Sequence, residues 1–224
     1  MRRILSIVFL LTGLVPAGIA AQGARPVIAV LPFEDGGSYG QDRDVFDALE
    51  LGLQALLIGE LSRSPGIDLL ARERAGRAPR SAEGARAIDA ASAASAGKAV
   101  GARYVVLGAF IDHYGRFRLD ARIVDTESGR IVDVVSNDPA LRDRRELHAM
   151  LQSLASRIRT ALDVPSAAAG TRSIPTDALI AYSRGLLHLE RSERSEAANA
   201  FERALETYPD FAEAREGLGQ ARSR

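Results

Sequence analysis

Few residues in this 224-residue chain could do chemistry, and they are scattered. There is no cysteine, so disulfides, thiolate metal sites and thiol nucleophiles are excluded. His113, His148 and His188 lie far apart, and none belongs to a His-x-x-x-His pair that would put two imidazoles on one helix face. Lys98 is the only lysine. It falls near the end of an expected helix, where a cation is simply favourable. Asp112 and His113 are neighbours in an extended stretch, so they point to opposite faces rather than sharing a proton. Glu34 and Asp35 follow the first apolar run, at the carboxyl end of an expected strand, where open α/β sheets bind ligands. We read them as a solvated loop; a cation site or an acid–base pair is the alternative. No Gly-x-x-x-x-Gly-Lys-Ser/Thr loop, Gly-x-Ser-x-Gly elbow or His-Glu-x-x-His helix occurs. The expectation is a non-enzyme with no catalytic residue, no cofactor and no metal.

Composition narrows the class further. Basic and acidic residues balance at 29 each, and the arginines are spread along the chain, so charge gives no support to a nucleic-acid partner. Hydrophobic content of 46% and charged content of 26% fit a globular protein. Arg2 and Arg3, the apolar run Ile4–Val15, Pro16 and the small residues Ala17–Ala21 have the order of a secretory signal peptide over residues 1–21, cleaved after Ala20 or Ala21. The run is too short for a spanning helix, which needs about 20 apolar residues, and no later segment is long enough. The expected compartment is periplasmic, with no membrane span in the mature chain.

The elements that would position these residues come next. Val27–Leu31 is continuously apolar, as in a strand buried on both faces. Phe46, Leu49, Leu53, Leu56, Leu57 and Leu61 recur at helical spacing, and Ser64-Pro65-Gly66 stops that helix. Ile67–Ala71 reads as a short strand. Ser81–Val100 reads as an Ala-rich helix capped by Gly101. Tyr104–Ile111, the alternating Phe117–Ile123 and Ile131–Val135 predict an antiparallel meander with turns at 113–115 and 126–129. A helix over 143–162 follows, with Leu147, Leu151, Leu154, Ile158 and Leu162 on one stripe. Residues 164–176, rich in Pro, Gly, Ser and Ala, read as a linker, and 177–224 is helical throughout. The fold class is α/β, a mixed sheet with an antiparallel meander and flanking helices over 26–163, plus a C-terminal all-α hairpin.

Two resemblances follow from these residues. Ile28-Ala29-Val30-Leu31-Pro32-Phe33-Glu34, then Gly101-Ala102-Arg103-Tyr104-Val105-Val106-Leu107-Gly108, then Leu119–Gly129 resemble, in order, the curli-secretion (CsgG-type) and TolB-like amino-terminal domains. Gly185, Ala197, Phe201, Ala204 and Pro209 fall at the small, small, aromatic, small and proline positions of a tetratricopeptide (TPR) repeat, supported by Ala178, Ala181 and Tyr182. Ala214, Leu218 and Gly219 resemble the start of a second repeat. Arg184 and His188 depart from the motif. The first resemblance implies an envelope or secretion role. It does not imply a pore, because the turns here are too short to hold membrane-spanning hairpins and the relatives' lipid-anchoring cysteine is absent.

One and a fraction repeats cannot bury their own apolar face, so Leu179, Leu186, Leu187 and Leu189 must cover the α/β domain, a second copy or a partner. The expected function is a periplasmic protein-binding adaptor or scaffold in envelope assembly or secretion. The expected contacts are Tyr182, Leu186 and Leu189 on the hairpin and Arg118 and Arg122 on the meander. Two other readings stand beside it: a homo-oligomeric subunit of an envelope complex, and a ligand binder or enzyme at the Glu34–Asp35 crevice.

Overall fold

The structure is a computed structural model and describes residues 25–41, 43–75, 89–136, 140–165 and 172–223. The expected signal peptide therefore lies outside the described residues, as does the first half of the Ala-rich helix.

Strand β1 (Val27–Val30) is apolar at every position because both its faces are covered. Ile28 and Val30 join one hydrophobic cluster, while Ala29 and the following Leu31 join another on the opposite side of the sheet. β1 lies between β3 (Asp68–Leu69) and β4 (Tyr104–His113), parallel to both. From β4 onward the sheet is antiparallel, through β5 (Arg116–Asp125) to β6 (Ile131–Ser136), giving the order β3-β1-β4-β5-β6. Gly129, with φ +68°, supplies the left-handed residue that the β5–β6 turn requires. Two short strands extend β4 and β5: β2 (Glu34–Asp35) pairs with β4, and β7 (Arg142–Asp143) pairs with β5. Residues 34–35 are thus part of the sheet, where the sequence reading placed a loop. β4 runs past the end of β1 and leaves backbone groups there for the chain to pair with.

Alternation along β4 and β5 sends Val106, Phe110, Phe117, Leu119, Ala121 and Ile123 to one face. Gly108 sits among them because the Phe33 ring presses on the strand there; a Cβ would lie 2.5 Å from Phe33 Cε2. Helices α1 (Arg43–Ser62) and α4 (Leu147–Ala161) cover this face. A 3₁₀ turn, Arg144–Glu146, leads into α4, so the predicted helix start at 143 is a strand and a turn instead.

Helix α1 is buried almost all round, Val45, Ala48, Leu51 and Gly52 included, because it has a neighbour on each side. Below it is the sheet. Above it are α5 (Thr176–Glu190), α6 (Arg194–Thr207) and α7 (Ala212–Arg222). α5 rests directly on α1, so closely that a Cβ on Gly52 would fall 1.8 Å from Ser183 Oγ. The apolar surface of the C-terminal helices is therefore spent on the α/β part, and one hydrophobic cluster runs from β1 through α1 to Phe201, Phe211 and Ala221. Phe201 fills the space over Gly185 and Gly217, where any Cβ would meet its ring within 2.7 Å.

The other face of the sheet carries less. Short helix α2 (Arg72–Ala75) and α3 (Ala90–Val100) pack there against β1, Val105 and Val124. Asp89 caps α3 by accepting the Ser92 N–H at 2.8 Å, a start inside the helix expected over 81–100; Gly101 ends it in the left-handed conformation, as the sequence predicts.

Candidate functional site

Cross-strand partners share a face, so the register fixes what lies beyond the reach of α3. Leu107 pairs with Arg122 and Arg122 with Val134; Ala109 pairs with Asp120 and Asp120 with Ser136; Glu34 pairs with Ala109. These residues floor one shallow groove of about 460 Å³, with Arg118 beside Asp120. The arginine face expected of β5 and the crevice expected beside Glu34 are thus the same place.

Within the groove, Arg118 Nε donates to Asp120 Oδ2 at 2.9 Å. Arg122 has no side-chain partner among the described residues and lines the groove. Glu34 faces the groove, but its neighbour Asp35 turns the other way along the strand. Asp35 Oδ1 accepts the N–H groups of Gly37 and Ser38 at 3.1 and 2.8 Å, which commits that carboxylate to its own turn. The two acids do not converge. Near Asp35 on the opposite side, burial pushes the carboxyl of Glu50 up to about 7, the nearby Asp47 and Asp35 charges adding to it against a bond from the Asp35 backbone.

One wall of the groove is β6, the outermost strand of the sheet path. Ile131, Val132 and Val134 on it are exposed, Val134 by 61%, and Asp133 is the only charge within the strand. An edge strand of this kind presents backbone N–H and C=O groups beside apolar side chains, although the Val134 N–H is taken here by Asp133 Oδ1 at 2.8 Å. No simple pattern in the sequence reveals this, because Ile131–Val135 reads like any buried strand; only its place at the sheet margin exposes it.

The hairpin contacts expected from sequence fare differently. Tyr182 and Leu186 are buried inside the chain and cannot meet a partner. Tyr182 packs against Phe201 and Phe211, ring centroids 5.8 and 4.9 Å away, and burial pushes its phenol pKa up. The physical reason is α1, which offers a second apolar side for α5 to cover. Leu189 is half-buried at the rim of a small cleft with Arg72 and Gln220.

Sequence reasoning also missed a charged cluster where α1, α4 and the last helices meet. Glu60 and His148 are both buried, with Glu60 Oε1 3.5 Å from His148 Nε2 and from Arg172 Nη2. Arg63 pairs with the other Glu60 oxygen, and Arg172 forms a two-bond fork with Glu213 at 2.8 Å. Burial pushes Glu60 up, yet the His148 imidazole and the Arg63 and Arg172 guanidiniums outweigh it and hold its carboxyl below the ordinary value. Arg159 donates to the Glu60 carbonyl at 3.2 Å. The cluster ties α7 to α1 through Arg172. Glu60 and His148 are 88 positions apart, which hides the pairing from any local motif. Asp112 is likewise structural. It is fully buried, and its Oδ2 accepts Arg144 Nη1 at 2.8 Å. Among the described residues no group of acidic or histidine side chains is placed to hold a metal ion, and no helix is long and apolar enough to cross a membrane.

No protein-family model matches the chain, and no curated protein matches it. Solved structures do. The NMR structure of LpoB from Escherichia coli aligns at 14% identity over 51% of this chain and 57% of LpoB, with a TM-score of 0.39. The LpoB C-terminal domain from Salmonella enterica aligns at 15% identity over 50% of this chain and 81% of that domain, TM-score 0.32. TolB from Acinetobacter baumannii aligns at 21% identity over 64% of this chain and 30% of TolB, TM-score 0.37. Alignments this loose carry neither activity nor partners from one protein to another.

Proposed function

We propose that this chain is an exported, non-enzymatic protein-binding adaptor of the cell envelope, and that it docks an extended segment of its partner along β6 and over the neighbouring groove. The observation that carries the reading is the apolar outer edge, on which Asp133 accepts the Val134 N–H. Three exposed aliphatic side chains on the outermost strand stand next to a groove whose free guanidinium, Arg122, can take a carboxylate from the added strand. Natural edges are usually blunted by lysine, proline or several charges, and β6 has one aspartate. Export rests on the ordering of residues 1–21, and the absence of catalytic chemistry rests on the diversion of Asp35 into its own turn.

The last three helices are read as a tetratricopeptide-like unit, and residues 26–163 as a curli-secretion or TolB-like domain. In this reading the helical unit is a brace for α1, and Tyr182 and Leu186 serve the core. Arg118 and Arg122 remain contacts, joined by Val134.

The test is retention of partners from the native envelope by wild-type protein and by Val134→Lys. Lysine at an exposed edge position leaves the fold intact but opposes strand addition. Loss of a specific partner with an unchanged melting temperature supports the docking edge; an unchanged partner set refutes it. A concentration-dependent dimer that Val134→Lys abolishes would instead favour the homo-oligomer, in which the added strand is β6 of a second copy.

A further inference from the structure

β6 ends the sheet path, and among the described residues no strand lies outside it. Residues of an antiparallel strand send their N–H and C=O alternately toward the neighbouring strand and away from it. The Val134 N–H goes to Asp133 Oδ1 at 2.8 Å, which makes Val134 an outward-pointing position. Toward the start of the strand the ladder is broken. Ile123 pairs with Asp133 and Val124 with Ile131, so Val132 is the extra residue of a bulge. The regular part of the edge is therefore 133–136. Val134 is where a strand added outside β6 would exchange its hydrogen bonds, and the donor is already engaged.

The residue that engages it is unusual for its position. Asp133 pairs with Ile123, which is fully buried against α4, so the two side chains share that face of the sheet. An acid on the inward face of an edge strand adds nothing to packing. It is one of the devices by which natural sheets keep their edges from pairing. Here its neighbours are aliphatic, with Ile131 and Val132 exposed by 44% and 45%. Without the acid, β6 would be an apolar strand with an open ladder, the kind that pairs with its own copy. A second β6 approaching antiparallel about Val134 would bring two Asp133 side chains onto one face as diagonal neighbours, about 7–8 Å apart. The two charges repel, and both carboxylates must release their Val134 N–H groups before bonds form across the copies. A strand from another protein has only one carboxylate to displace.

We propose that Asp133 is an autoinhibitory guard of the docking edge: its carboxylate holds the Val134 N–H and its charge bars β6 of a second copy. Resting on the reading of β6 as the docking edge, this gives Asp133 the choice between self and partner.

The test is sedimentation velocity of the full chain over a concentration series, for wild type, Asp133→Val, Asp133→Thr and Asp133→Thr with Val134→Lys. Valine and threonine are both uncharged strand formers, so each variant should melt at the wild-type temperature or above. Wild type should remain monomeric. Asp133→Val and Asp133→Thr should both form a dimer, at least about tenfold tighter than any wild-type self-association, and the added Val134→Lys should return the chain to monomer. The proposal falls if Asp133→Thr stays monomeric, if wild type already dimerises through β6, or if the variant dimer survives Val134→Lys, which would put the contact elsewhere. Partner retention from the native envelope keeps the two readings apart. A monomeric Asp133→Thr together with loss of a partner by Val134→Lys overturns the guard alone. A dimeric Asp133→Thr together with a partner set unchanged by Val134→Lys supports the guard and overturns the partner-docking reading.

Discussion

Two glutamates on one helix respond to pH with opposite signs, and the reason lies in their neighbours. Glu50 has lost water and gained acidic company, so its folded pKa of about 7 stands above the ordinary 4.5. The folded state prefers the neutral acid. Its contribution is complete below pH 4.5 and is lost as pH rises through 7. Glu50→Gln should therefore remove a fall in stability between pH 5 and 8, worth no more than about 2 kcal/mol after allowance for its partial exposure, as read from urea midpoints at the two pH values. Glu60 is the reverse case. Cations hold its folded pKa below 4.5, so its contribution is present at neutral pH and lost on acidification. Glu60→Gln should cost about 2–3 kcal/mol at pH 7 and flatten the acid limb of the same curve, because it removes the buried carboxylate charge that faces Arg63, Arg172 and His148. Arg118 and Asp120 were legible in sequence as sharing a strand face, and they do pair. The partners of Glu60 were not legible, since nothing local to α1 announces α4 and α7.

Between elements, the α1–α5 contact decides the architecture, and two glycines report on it. Gly52→Ala would drive a methyl into Ser183 Oγ and push α5 away from α1. Alanine improves helix propensity by about 1 kcal/mol, but overpacking of this severity costs more, so a net loss of about 1–3 kcal/mol is expected. Gly219→Ala on α7 meets nothing within 4 Å and should gain about 0.5 kcal/mol or more from propensity alone. Thermal melts of the pair check both signs. Part of this was readable beforehand. The named stripe of α1 leaves out Leu51, which lies about 200° around the helix from Leu49 and marks a second apolar side. The stop of α1 before Ser64-Pro65-Gly66 and the cap at Gly101 follow from local signals, whereas β2 exists only because β4 outruns β1.

For the whole molecule, the C-terminal helices behave as part of the core. Truncation after Ala168 would strip α5 from α1, expose Ala48, Leu51 and the surface around Gly52, and leave Glu60 without Arg172. The truncated chain should aggregate or lose cooperative unfolding, seen by size-exclusion chromatography and circular dichroism. A soluble, sharply melting fragment would contradict the shared core. The same packing buries Tyr182 and Leu186 of the expected contacts and leaves Arg118 and Arg122 at the groove.

The sequence by itself determined the periodicities: a buried β1, an alternating β5, the antiparallel meander, amphipathic helices and the small residues that seat Phe201. Hydrophobic period specifies that an element has an apolar face and which side chains lie on it. Only the tertiary structure decided what covers each face. It laid α5 on α1, some 130 positions earlier in the chain, left β6 at the margin with its aliphatic side chains exposed, and gathered Glu34, Arg118 and Arg122 into one groove. Those outcomes depend on contacts between distant segments, and such contacts leave no mark in the local spacing of either one.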